Sequence, residues 1–387
     1  MEMKRLTGVN LGGWLLMEGY ILGGRNIAEH EFKRKFARAY GKKELIEFEK
    51  AFRESYITEN DFKTIASWGA NCVRLPFHYK FFETKPYKYD ARALAFMKNV
   101  LGWAESAGLK VILDLHAARG AQNCDWHADS DGRARLWTDA ECRNRTYALW
   151  EFLAHNMKDE PAVCGYDVLN EPVIRDAARV KTLKGFYREL IRRIKRIDRK
   201  RAIFLEGNIW AQEIDFIKDI LEDNVAVSIH TYLPLNFTFN FRREYSYPGQ
   251  IEGIRWDRDT LRRHLEKYKK FSDENKTRIF VGEFGVNYRK NAYGELAWLG
   301  DSLAVFGEYG FDWTYWTYKA VAGPAFPDGI VQYIDNPGWV RREGPVFGIE
   351  NLYHLWRAER KEIIRSWDTA NFSVNDNIVN VLKQHFA

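Results

Sequence analysis

Eight short apolar runs recur along the 387-residue chain, at positions 8–11, 71–76, 110–116, 162–166, 202–207, 225–230, 278–285 and 311–316. Each is shorter than an ordinary helix and too uniformly apolar for a strand with one wet face. They read as strands buried on both sides. Between them apolar residues recur every three to four positions. This spacing predicts helices over 60–68, 91–107, 143–152, 183–197, 261–271, 297–309 and 375–386, and a charged helical stretch over 27–55. Gly69 and Gly108 stand where two of these helices stop. No repeat, low-complexity tract or linker interrupts the alternation. The pattern predicts the α/β class, specifically a (β/α)8 TIM barrel with elaborated βα loops, as a single domain over residues 1–387.

In such a barrel the C-terminal tips of the strands converge on one face, where the chemistry sits. Arg74, His116, Asn170, Glu171, His230, Glu283 and Trp316 all fall at or beside a predicted tip, and Tyr232 follows two residues after His230. Two stretches matter most. Tyr166-Asp167-Val168-Leu169-Asn170-Glu171-Pro172 delivers a glutamate closed by a proline, which biases Glu171 away from helix. Arg278-Ile279-Phe280-Val281-Gly282-Glu283-Phe284-Gly285 delivers a second glutamate between glycines. Glu206 also ends a strand, and reads as a hydrogen-bond partner behind the site. Arg74 in an apolar strand demands a buried anion, either in a structural ion pair or beside one of the two glutamates. His116, His230 and Trp316 suit a core as well as a site. Their shared place at strand tips favours the site.

Two carboxyls on facing tips suit glycoside hydrolysis. One protonates the leaving oxygen, and the other attacks the anomeric carbon or activates water. A gap of about 5–5.5 Å retains configuration, and about 6.5–9.5 Å inverts it. The sequence leaves that gap open. Arg74 should hold one carboxylate ionised, and the other should keep its proton in an apolar or anionic setting.

Composition narrows the partners. The chain holds 14 Trp, 20 Tyr and 25 Phe, whose flat faces suit stacking on sugar rings as well as core packing. The net charge of +6 is mild. The basic run 192–201 keeps Ile194 and Ile197 in step with Ile191, so it reads as the solvated face of a helix rather than a nucleic-acid patch. Cys72, Cys124, Cys142 and Cys164 have no ligand-like spacing and imply neither a disulfide framework nor a zinc site. A metal-dependent barrel hydrolase would draw on His116 and His230, but its paired histidines on one strand, or an HExxH helix, are absent. No metal and no cofactor are expected. The first residues show no apolar signal region and no run long enough to span a membrane, which predicts a cytoplasmic chain with no membrane partner.

Six motifs, in order, carry a family resemblance. They are Asn71-Cys72-Val73-Arg74-Leu75-Pro76, Leu113-Asp114-Leu115-His116, Asn170-Glu171-Pro172, His230-Thr231-Tyr232, Gly282-Glu283-Phe284-Gly285 and Trp316. With them the chain resembles glycoside hydrolase family 5 from Gly8 to about Tyr333. The resemblance implies a retaining mechanism with Glu171 as acid/base and Glu283 as nucleophile. It implies Arg74 and Tyr232 near the nucleophile, Asn170 on the sugar 2-hydroxyl, His230 near the acid/base, and Trp316 as a platform under the sugar. Within the family, Leu11-Gly12-Gly13-Trp14-Leu15 with Glu18, and Asp114-Leu115-His116-Ala117-Ala118-Arg119-Gly120-Ala121-Gln122-Asn123, look most like the exo-β-1,3-glucanases. That likeness implies that Glu18 and Asp125 bind a terminal glucose, although Asp125 falls one residue early. Family glycine and proline are replaced at Ala117 and Arg119. The expected substrate is a β-glucoside or gluco-oligosaccharide cleaved from its end. The alternatives are a β-mannosidase or β-mannanase, an endo-β-1,4-glucanase, and a sugar-binding barrel without catalysis.

Overall fold

The computed structural model describes residues 4–332 and 349–387; the far limit of the family resemblance, about Tyr333, lies outside the described residues. Eight strands close a barrel: β1 (Thr7–Asn10), β2 (Cys72–His78), β3 (Lys110–Ala117), β4 (Val163–Asp167), β5 (Ala202–Glu206), β6 (Val225–His230), β7 (Ile279–Phe284) and β8 (Asp312–Tyr315). Every neighbouring pair is parallel, and β8 closes on β1.

Alternate residues along each strand face opposite sides, and here the two sides are filled differently. Val73, Val111, Leu113, Ile203, Leu205, Val227 and Val281 belong to the large core between strands and helices. The other parity holds a separate apolar cluster of Leu6, Cys72, Ile112, Ala202, Phe204, Ala226 and Phe280, which fills the barrel interior. Two residues further along the same strands the interior turns polar: Arg74, Asp114, Glu206 and Ser228 are all fully buried. Gly165 is part of the lower filling. A Cβ there would lie 2.5 Å from Phe204 Cε2, so the ring occupies room that only glycine leaves.

Helices surround the strands, with several bounds longer than the periodicity predicts. Residues Ala140–Met157, Ala177–Ile197 and Arg258–Asn275 are helical. The turns added to the last of these, 258–260 and 272–275, are polar, whereas the first gains Leu153, Ala154 and Met157, which extend its buried stripe by a turn. The stretch 27–55 is two helices, Glu29–Tyr40 and Lys42–Tyr56, broken at Gly41 with φ 90°. The helix Glu59–Ser67 begins on a capping box, in which Thr58 and Asp61 each bond the other's backbone N–H. Its cap is therefore two residues before Asn60. The alternation lapses once. Between β5 and β6 there is only a tight 3₁₀ segment, Asp215–Ile220, after a short turn. That departure shapes the site described next.

Candidate active site

Arg74 organises the upper interior. Its Nε donates to Asp167 Oδ2 at 2.9 Å, Nη1 donates to Glu283 Oε1 at 2.8 Å and to Asn10 Oδ1 at 3.1 Å, and Nη2 donates to Asn170 Oδ1 at 2.9 Å and Glu206 Oε1 at 3.0 Å. Asp114 Oδ2 lies 3.0 Å from Nη2. The guanidinium thus faces four carboxylates, and both anticipated roles hold at once. It is a buried structural ion and a partner of Glu283. Burial disfavours its charge, but Asp114, Asp167 and Glu283 outweigh that and hold its pKa well up. Burial and Glu206 push Asp167 up, against the pull of Arg74.

Glu283 has a donor on each oxygen, since Tyr232 Oη donates to Oε2 at 2.8 Å. Across from it, β4 ends at Asp167 and the chain turns so that Glu171 has φ 45°. The backbone before Pro172 avoids right-handed helix, as expected, but in the left-handed rather than the extended region. Two hydrogen bonds hold Glu171 in the left-handed region: its N–H donates to Glu206 Oε2 at 2.6 Å, and its carbonyl accepts from Asn123 Nδ2 at 2.9 Å. Glu206 is therefore the hydrogen-bond partner anticipated for it, joining Arg74 to the Glu171 backbone.

One oxygen of Glu171, one oxygen of Glu283 and a ring nitrogen of His230 all lie within 4.8 Å of one another. His230 Nδ1 bonds Glu171 Oε1 at 2.7 Å, and its Nε2 is 3.2 Å from Glu206 Oε1. The surroundings of Glu171 are cationic rather than apolar or anionic. Burial raises its pKa, but the bond to His230 and the charges of His230, His127 and His116 outweigh it and hold the carboxyl at about 2. Burial opposes the charge of His230, yet Glu206 and Glu283 push its pKa well up. Both shifts favour a carboxylate on Glu171 facing a cationic His230.

These groups line a cavity of about 370 Å³. Trp316 forms part of its floor and stacks on His116 at 5.4 Å between ring centres, 12° apart. Gly12 lies against that indole, where a Cβ would come within 2.9 Å of two of its ring carbons. Asp114 Oδ2 bonds His116 Nδ1 at 2.7 Å. Glu18 is buried, among the described residues nothing donates to its Oε1, and His116 Nε2 is 4.0 Å away. Burial raises the Glu18 pKa to about 7, against the pull of His116 and His127. Asn170 and Arg74 lie beneath the lining, fully buried.

Asp125 is not among the residues lining the cavity. Its Oδ2 accepts from Trp210 Nε1 at 2.8 Å and lies 3.6 Å from His127 Nε2, so the carboxylate is engaged at the rim. His127, which sequence reasoning missed, is 3.5 Å from Glu171 Oε2. Tyr20, Trp126, Trp210 and Phe326 were missed too. Tyr20 stacks on Phe326 at 4.9 Å and meets Trp126 edge-on at 5.8 Å, and its hydroxyl accepts from Trp316 Nε1. Together they wall the cavity beside Glu18. The available signal was the aromatic density of two loops, Trp126-His127 and Asn208-Ile209-Trp210.

Among the described residues two clusters have the spacing of cation ligands, Glu171 with His230 and Glu283, and Asp114 with Asp167 and Glu206. In the first, His230 Nδ1 and Glu171 already bond each other. The second surrounds the Arg74 guanidinium, which supplies its counter-charge.

The family model for cellulase (glycosyl hydrolase family 5) matches residues 35–321. A β-xylosidase of Phanerodontia chrysosporium is 30% identical over 82% of this chain and 67% of its own length. Endoglucanase C of Acetivibrio thermocellus is 26% identical over 81% of this chain and 91% of its own. A probable glucan 1,3-beta-glucosidase A of Aspergillus clavatus is 29% identical over 65% and 63% respectively. With a matching family model over most of its length, on a closed parallel barrel, the chain belongs to glycosyl hydrolase family 5 and is an O-glycosyl hydrolase.

Proposed function

We propose that the protein is a retaining, exo-acting β-glucosidase that releases single glucosyl units from β-glucosides or gluco-oligosaccharides. The approach of Glu171 and Glu283 to within 4.8 Å carries this reading. It matches the shorter of the two carboxyl spacings used in glycoside hydrolysis, about 5–5.5 Å, rather than the wider gap of inverting enzymes.

Glu283, oriented by Arg74 and Tyr232, attacks the anomeric carbon as the glycosidic bond breaks. Glu171 protonates the departing oxygen. The proton comes from His230 Nδ1 along its hydrogen bond to Glu171 Oε1. A water, deprotonated by Glu171, then releases the sugar from Glu283 with its configuration restored. Trp316 underlies the sugar, His116 and Glu18 accept or donate to its hydroxyls, and Asn170 beneath them steers the 2-hydroxyl. The aromatic wall of Tyr20, Trp126 and Phe326 beside Glu18 supports a site for one sugar on the glycone side, which favours exo action. An endo-acting glucanase is the second reading, favoured by the similarity to a protein named endoglucanase.

Hydrolysis of an aryl β-glucoside followed by proton NMR tests the first reading. The β-anomer of glucose should appear first, and an initial α-anomer would end the retaining assignment. Parallel assays on β-xyloside, β-mannoside and soluble β-glucan rank the sugars. A fall in glucan viscosity ahead of glucose release would favour the endo reading.

A further inference from the structure

The cleft that holds Glu171 continues to Trp210, and a second hollow begins there. Ile209, Trp210 and Ala211 have φ of 52°, 52° and 61°, three consecutive non-glycine residues in the left-handed region. Asn208 clamps this run to the Glu171 loop. Its Nδ2 donates to the Ile174 carbonyl and its Oδ1 accepts from the Ile174 N–H, each at 2.8 Å. The Trp210 ring lines the cleft, and the Arg175 guanidinium lies over it, 5.2 Å from the ring centre.

Arg175 also lines a hollow of about 600 Å³ with Arg133, Arg135, Arg179 and the carboxylate of Asp176. Asp131 takes both Arg135 donors at 2.9 Å, and Asp176 lies 3.4 Å from Arg179. Among the described residues no carboxylate pairs with Arg133 or Arg175. With Asp131 and Asp176 each engaged by one arginine, the concavity keeps an excess of positive charge centred on Arg133 and Arg175. Guanidinium forks are the side chains best shaped for anionic oxygens. Arg175 follows Glu171 by four residues and lies over the Trp210 ring that lines the cleft.

We propose that this hollow binds an anionic oxygen group, whether carboxylate, sulfate or phosphate, carried by the leaving-group portion of the substrate. The inference rests on the Glu171 and Glu283 roles for the direction of the cleft.

Calorimetry on the Glu171→Gln enzyme tests it without turnover. The probes are cellobiose and its three analogues bearing a carboxylate, sulfate or phosphate at C6 of the reducing glucose. At least one analogue should bind about tenfold tighter than cellobiose at low salt, and the advantage should shrink at about 0.5 M salt. Adding Arg133→Gln and Arg175→Gln should abolish it. Arg133→Gln alone, which spares the Trp210 contact, should reduce it about threefold, and Arg133→Lys should keep most of it. The analogue that gains most identifies the group. Equal binding of all four probes, or an advantage that survives in the double variant, would overturn the proposal. A wild-type enzyme that binds the charged probe tightly, with the arginine dependence intact, but leaves aryl β-glucosides uncleaved would sink the catalytic reading and uphold this one.

Discussion

The barrel interior has two fillings, stacked one residue pair apart. The lower is apolar, with Cys72, Ile112, Phe204, Ala226 and Phe280 closing it like an ordinary core. The upper is ionic, with Arg74 surrounded by Asp114, Asp167, Glu206 and Glu283. Both are buried, with Glu283 alone of these groups reaching the cavity, so burial alone does not separate scaffold from site. Chemistry does. The lower layer gains free energy by leaving water, whereas the upper layer loses solvation and recovers it only through its mutual pairing. The upper layer is therefore the part of the molecule built for something other than stability.

Substitutions in the two layers should fail in different ways. Glu283→Ala should cut turnover of an aryl β-glucoside by about 10⁴-fold or more while the protein stays folded by circular dichroism. Added azide should restore activity and yield the α-glycosyl azide, since the small anion enters from the vacated side. A β-product would exchange the roles of the two glutamates. Arg74→Met leaves four carboxylates without their shared cation. It should cost about 3–5 kcal/mol in urea unfolding and most of the activity together. Phe204→Ala, one layer down, should cost a similar about 3–5 kcal/mol while kcat at low temperature holds. If Phe204→Ala abolishes turnover in a folded protein, the layers are not separable.

The smallest effect has the opposite sign. Folding raises the Glu18 pKa from 4.5 to about 7, so between those values the folded chain holds more protons than the unfolded one. Stability therefore falls as pH rises through that window. Glu18→Gln removes this cost. The variant should be roughly 2–3 kcal/mol more stable than the parent at pH 8 and no different at pH 4, by denaturant titration. An equal gain at both pH values would show that the carboxylate charge is not its source.

The strands and their functional groups were legible because an apolar run stands out, and so does a charged residue within it or just past its end. That is how Arg74, His116, Glu171, His230 and Glu283 could be read. The parity that separates Cys72 from Val73, or Phe204 from Leu205, could not, because both faces of a parallel barrel strand are apolar. The rim was illegible for another reason. Trp210 reaches the cleft through a left-handed run clamped by Asn208, and His127 through a loop with no period. Local pattern carries no record of either. Asp125 shows the limit from the other direction. A motif placed it close to the site, but its carboxylate went to Trp210 and His127 instead.

Gly165 and the Phe204 ring fill each other's space at the base of the barrel. Neither position can drift by itself in a lineage of such chains. A methyl added at the first must await a smaller side chain at the second, and a chain that shrinks the second first carries a void until the first replies. The two sites should be inherited as a unit, far from any substrate.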